Sequence, residues 1–322
     1  MLYRMSILVV VLMYAGWSSM FSLGKMALAH SPPLFLTASR MLLAGVILLA
    51  FMALKDRFAF KITLKQLLSF SILALFSIYL TNAFEFWSLQ HLTAAKTCFI
   101  YSLSPFFAAL FSYFHFGEKM NRRKWLGMSI GVAGIIPVLA IQKGSDELLS
   151  GLLYLSWPEL AMVAASICTV YGWVLLRLIV KDTKVSPLMA NGVSMFIGGL
   201  FALAHSYLVE PWTPLPVSAS AIVPFTQGLL IMTLISNIIC YNIYGMMLKK
   251  YTATFLSFMG VLSPIFASIN GWFFLGEPLS PVIFFSTGIV SLGLWLIYSA
   301  ELSQGYIVQP RKGGEKPLTE TP

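Results

Sequence analysis

The stretch Leu89–Gly134, LQHLTAAKTCFIYSLSPFFAALFSYFHFGEKMNRRKWLGMSIGVAG, is written a second time 159 positions later, from Leu248 to Gly293. Aligned without gaps, the two copies share Thr93/Thr252, Ala94/Ala253, Phe99/Phe258, Leu103/Leu262, Ser104/Ser263, Pro105/Pro264, Phe107/Phe266, Ala108/Ala267, Phe114/Phe273, Gly117/Gly276, Glu118/Glu277 and Gly134/Gly293. Apolar composition alone gives scattered Leu and Phe matches. It does not align Thr-Ala, Ser-Pro and Gly-Glu at one fixed offset across two apolar segments and the turn between them. The unit is half of the protein, and function becomes a question of what two such halves enclose.

Hydrophobic residues make up 58% of the chain and charged residues 10%, against the ~25% charged that a soluble globule carries. Such a chain lives in a bilayer. Runs of about twenty apolar residues cross a ~30 Å hydrocarbon core as helices, and ten are expected: 5–29, 34–54, 66–89, 94–115, 125–141, 159–180, 187–209, 222–247, 252–274 and 281–299. The fold class is an all-α polytopic membrane protein. Ser31-Pro32-Pro33, Ser186-Pro187, Pro211 to Pro216 and Ser280-Pro281 stand where helices should start or stop. Arg4, the apolar run and Ala27-Leu28-Ala29 imitate a secretory signal, but the run from Met5 to Leu23 is longer than a signal core and is read as the first span.

The net charge of +9 is topological and does not point to nucleic acid. With the N-terminus inside, 17 of the 21 basic residues fall in cytoplasmic segments, from Arg4 and the Lys55–Lys65 group to Lys249, Lys250 and Lys316. The loops on the other side hold Lys143 alone, which is the positive-inside pattern with both termini in the cytosol. Each half then has five spans, an odd number, so the second half enters the membrane in the opposite sense. The expected organisation is a first five-helix repeat over 1–141, a linker over 142–158, an inverted repeat over 159–300 and a disordered cytoplasmic tail over 301–322.

Ten spans as inverted fives, with Ser104-Pro105 and Ser263-Pro264 in spans four and nine and Gly117-Glu118 and Gly276-Glu277 at their ends, resemble the EamA-type carriers of the drug/metabolite transporter superfamily. The resemblance implies alternating access at a central site in a bacterial inner membrane. A subgroup in intracellular bacteria carries S-adenosylmethionine, which makes that solute, exchanged for S-adenosylhomocysteine, the expected cargo. An amino-acid or drug/metabolite exporter coupled to protons is the alternative within the class. A non-transporting membrane assembly protein is the alternative outside it.

Charges at membrane depth are costly and mark a pathway or a partner. Lys25, Arg40, Glu85 and Lys96 are four such charges, all in the first half. Glu85 suits a solute amine or a coupling proton; the bland alternative is a staple to Lys96 or Arg40. Lys25 and Lys96 read as snorkelling side chains, whereas Arg40 can grip a carboxylate with two parallel hydrogen bonds. Asn82, three residues before Glu85, shares its helical face, as does Tyr79. Tyr14, Trp17 and Ser18 in span one, Tyr101 in span four, Tyr171 in span six, and Asn237, Tyr241 and Asn242 in span eight add rings and polar tips. The candidate binding set is Trp17, Arg40, Asn82, Glu85, Tyr101, Tyr171, Asn237 and Tyr241, fit for a zwitterionic or nitrogen-ring solute.

Pro105 and Pro264 each free a carbonyl one turn back. With Ser104 and Ser263 they are the expected hinge or gate. Gly127, Gly131 and Gly134 form a small-residue stripe in span five, a surface for helix packing or a homodimer. Cys98, Cys168 and Cys240 lie in apolar runs without a disulfide pattern, and His30, His91, His115 and His205 are scattered at span ends. No HExxH, no pair of intramembrane aspartates and no GxxxxGKS or GxxxxGKT loop is present. No cofactor, metal site or enzyme activity is expected, and the driving force must come from gradients or exchange.

Overall fold

The structure is a computed structural model that describes residues 2–55, 62–116, 119–140, 156–182, 185–247, 256, 259–260 and 263–304. The regular structure among these residues is helical, with no strand. In chain order the helices are α1 (Leu2–Leu28), α2 (Pro33–Lys55), α3 (Leu64–His91), α4 (Ala94–Tyr101 and Ser104–Phe116), α5 (Arg122–Ala140), α6 (Trp157–Asp182), α7 (Pro187–Val209), α8 (Ala219–Met247), α9 (Ser263–Leu275) and α10 (Pro281–Ser303). Among the described residues, eight helices are long and apolar enough to cross a membrane. The two expected spans outside that group are the fifth and the ninth. α5 opens on Arg122, Arg123 and Lys124, and α9 is described only from Ser263. Gly117-Glu118, Lys143, most of the linker and the tail beyond Gln304 lie outside the described residues.

Local chemistry sets the helix starts. The Ser186 hydroxyl accepts the Met189 N–H at 3.1 Å, and Pro187 follows at the first helical position, where its missing N–H costs nothing. Thr93 caps α4 in the same way through the Lys96 N–H at 3.2 Å. Inside α4, Pro105 removes the N–H that the Tyr101 carbonyl would have received. The helix breaks at Ser102 and Leu103, and the Ser104 hydroxyl donates to that carbonyl at 2.6 Å.

Two helices carry a wider turn that no proline explains. α3 is a π-helix over Ala74–Leu80 and α8 over Thr233–Cys240, beginning 159 positions apart. A π turn loosens carbonyls from the regular ladder. In α3 the Thr81 hydroxyl takes the Phe76 carbonyl at 2.8 Å, and in α8 the Asn242 amide takes the Ile238 carbonyl at 2.8 Å.

α2 packs along α7, α5 along α10, α1 along α9 and α3 along α6. The span-five glycines serve contacts inside the chain: a Cβ at Gly127 would meet the Gly293 carbonyl of α10 at 2.5 Å, and one at Gly131 would meet the Phe106 ring at 1.9 Å. Large apolar side chains such as Leu54, Leu208, Phe273 and Phe285 are exposed on the outside, as a lipid solvent permits. Three apolar clusters fill the interior, and Trp17, Tyr101 and Ile235 pack against both of the larger two. The site lies where those two meet.

Candidate functional site

A cavity of about 80 Å³ is walled by α1, α2, α3, α4, α6, α8 and the start of α9. It has room for a few water molecules. It is smaller than the ~300–1,000 Å³ of sites that engulf a drug-sized ligand. A solute of that size enters only when a wall moves.

Positions 159 apart contribute together to its wall. Tyr14 of α1 and Trp173 of α6 both line it, as do Asn82 of α3 and Tyr241 of α8, and Ser104 of α4 and Ser263 of α9. Of the binding residues expected from sequence, Trp17, Arg40, Asn82, Glu85, Tyr101 and Tyr241 come together here; of the hinge residues, Ser104, Pro105 and Ser263 do. Pro264 is buried behind Ser263, its carbonyl taking the Ser268 hydroxyl at 2.8 Å.

Three expectations are corrected. Tyr171 does not line the cavity; it packs against Phe76, Phe111 and His115. Two residues along a helix turn the side chain by about 200°, so Trp173 occupies the wall instead. Asn237 is buried with its amide on the Met41 sulfur at 3.0 Å, because the π turn carries Ser236 to the cavity. Tyr79, also inside a π turn, leaves the Asn82 face and hydrogen-bonds His205 at 2.8 Å.

Ser236, Trp173, Met20, Phe21, Ser102 and Gly260 were not anticipated. The offset held a signal for two of them: Trp173 is the counterpart of Tyr14, and Ser236 of Ser77. Gly260 is required by shape, since a Cβ there would stand 2.7 Å from the Tyr14 ring.

The polar geometry separates two kinds of charge. Arg40 is 3% exposed, donates from Nη2 to Asn82 Oδ1, lies 4.8 Å over the Phe86 ring and has no partner at Nε. Asn82 is itself fixed, its amide donating to the Ile78 carbonyl at 2.7 Å. Glu85, half-buried on the cavity wall, makes no hydrogen bond and no ion pair with the described residues. The staple between Glu85 and Lys96 is absent: Lys96 pairs with Glu159 at 2.5 Å, and Lys25 pairs with Glu277 at 2.9 Å. Rings complete the wall. Trp17 donates to Ser236 Oγ at 3.2 Å and sits 5.5 Å edge-on to Tyr241 and 6.3 Å from the stacked Trp173. Tyr101 donates to Thr169 at 3.2 Å, which donates to Thr81 at 3.0 Å. No cluster of His, Cys, Asp or Glu able to hold a metal occurs among the described residues.

The chain is similar over its length to proteins of known class. It is 38% identical over 305 residues to the S-adenosylmethionine/S-adenosylhomocysteine transporter of Chlamydia muridarum, covering 94% of this chain and 95% of that one. The protein of the same name from Chlamydia trachomatis serovar L2 is 37% identical, with 94% and 92% covered. An uncharacterized inner membrane transporter of Escherichia coli is 25% identical, with 88% of each chain covered. One solved crystal structure shares the fold with a TM-score of 0.65 over 94% of this chain and 97% of its own, at 17% identity. The profile of the EamA-like transporter family matches residues 4–140 and 156–299. This multi-pass membrane protein therefore belongs to the EamA-like transporter family.

Proposed function

We propose that the chain is a secondary carrier that exchanges S-adenosylmethionine for S-adenosylhomocysteine by alternating access. It is a transporter and not an enzyme, as its family and its named relatives show. One observation carries the cargo: a ring-lined cavity presents one guanidinium and one carboxylate that are not bonded to each other. Both solutes bring an adenine ring and an amino-acid end. Rings stack on aromatic faces, and Arg40 is placed for the solute carboxylate. The names of relatives 37–38% identical over 94% of the chain support the same cargo.

Two inverted five-helix repeats, ten spans in all, with both termini in the cytosol of a bacterial inner membrane, make up the architecture. The positive-inside pattern, the twofold family match and the paired π turns support it. In this reading Ser104-Pro105 and Ser263-Pro264 are the points at which α4 and α9 bend to admit the solute. The test is exchange in liposomes holding purified protein and S-adenosylhomocysteine, with labelled S-adenosylmethionine outside. Uptake that needs the internal solute supports the proposal. Absence of uptake for either solute, with leucine or another amino acid carried instead, removes it.

A further inference from the structure

We infer that Glu85 is the residue by which this site tells a cationic solute from a neutral one, and so sets the preference between the two exchange partners. The inference rests on the cargo proposed above and goes beyond it. At neutral pH both solutes carry an ammonium and a carboxylate, which cancel. The methylated one also bears a sulfonium, a fixed positive charge with no proton to lose and no hydrogen to donate. The two therefore differ by one methyl group and one net positive charge.

Four glutamates have side chains described in contact with the rest of the protein, and three of them are spent at one end of the bundle. Glu277 accepts the Ala94 N–H with both oxygens at 3.1 Å and pairs with Lys25. Glu210 accepts the Leu34 and Phe35 N–H groups at 2.7 and 2.9 Å. Glu159 accepts the Ser156 N–H at 2.8 Å and pairs with Lys96. Glu85 alone of the four has no such partner, and it faces the cavity. Its countercharge, Arg40, is turned to Asn82 and the Phe86 ring.

A carboxylate left in this condition acts on whatever net charge enters beside it. In a cavity walled by Trp17, Tyr101, Tyr241 and Phe21 the effective dielectric is low, so a unit charge several ångströms away is still felt, while the opposed charges of a zwitterion largely cancel. A sulfonium offers no N–H, and aromatic faces together with a carboxylate are the partners that suit it.

The experiment measures binding of labelled S-adenosylmethionine and S-adenosylhomocysteine to purified wild-type, Glu85→Gln and Glu85→Asp proteins. Glu85→Gln is expected to weaken the methylated solute about 10-fold or more, on the scale of one charge-charge contact, and the demethylated solute by less than about 3-fold. Glu85→Asp, which keeps the charge, should restore most of the difference. Retained binding of the demethylated solute reports that Glu85→Gln is folded. An equal loss for both solutes would assign Glu85 to the shared ammonium and overturn the inference while leaving the cargo intact. Unchanged binding of both would overturn it as well. Failure of the wild-type protein to bind either solute would instead remove the cargo, and this inference with it.

Discussion

Glu277 and Glu85 are the same residue type in the same membrane protein, and they are used in opposite ways. Glu277 follows Gly276, whose φ of +64° suits a residue without a side chain, and that turn delivers its carboxylate to the N-terminus of α4 and to Lys25. Both oxygens there accept hydrogen bonds, and the group ties α1, α4 and the end of α9 together. Helix N-termini carry unsatisfied N–H groups and the positive end of the dipole, so a carboxylate there stabilises the fold directly. Glu85 instead leaves a half-buried carboxylate on a cavity wall without a protein donor. Such a group costs stability, and at membrane depth that cost points to a functional role. The rim glutamates hold helices, and the centre is where the solute is proposed to bind.

This contrast can be broken at four points. The largest effect should come from Arg40→Gln, which keeps a hydrogen-bond donor for Asn82 and removes the charge. Exchange should fall about 100-fold, the scale of one or two charge-assisted hydrogen bonds, while the protein still purifies as a folded species. Next, Glu277→Ala should lower unfolding stability by roughly 2 kcal/mol, because Lys25 and the Ala94 N–H lose their partner. Thermal denaturation in detergent reads this, and the surviving protein should keep its solute preference. Glu85→Gln should lower the same melting curve by no more than ~0.5 kcal/mol, or raise it, since no protein partner is lost and a desolvated charge is removed. A drop as large as that of Glu277→Ala would show that Glu85 is structural too. The smallest effect belongs to Tyr171→Phe, which should leave exchange within about 2-fold of wild type, because its hydroxyl lies away from the cavity.

What the sequence disclosed about this molecule depended on whether a feature had a period. The duplication, the apolar runs and the break at Pro105 all follow from spacing and from one missing N–H. Among the described residues, the eight helices long enough to span a membrane stand where those signals put them. The π turns have no such mark: neither Ala74–Leu80 nor Thr233–Cys240 contains a proline or glycine, yet each shifts the faces of its helix. Tyr79 and Asn237 were misplaced for that reason, and Ser236 was overlooked. The partners of Lys25 and Lys96 were hidden differently. Glu277 and Glu159 lie 252 and 63 residues away from them in the chain, and only the packed bundle brings turn residues onto the end of α4. Asn82 and Glu85 were legible because both follow the π turn on a regular stretch of α3, three residues apart.

The central claim is that solute occupies the cavity between the paired serines of α4 and α9. Its most direct test is protection of a cysteine placed there. Ser263→Cys, in a background with Cys98, Cys168 and Cys240 replaced by serine, is treated with a membrane-permeant maleimide, with Thr226→Cys on the exposed face of α8 as the control. Saturating S-adenosylmethionine should slow modification at position 263 by about 10-fold or more, as expected for a site occupied more than nine-tenths of the time, and leave position 226 unchanged. Equal rates at 263 with and without solute, in protein that still exchanges, would place the pathway elsewhere and contradict the account.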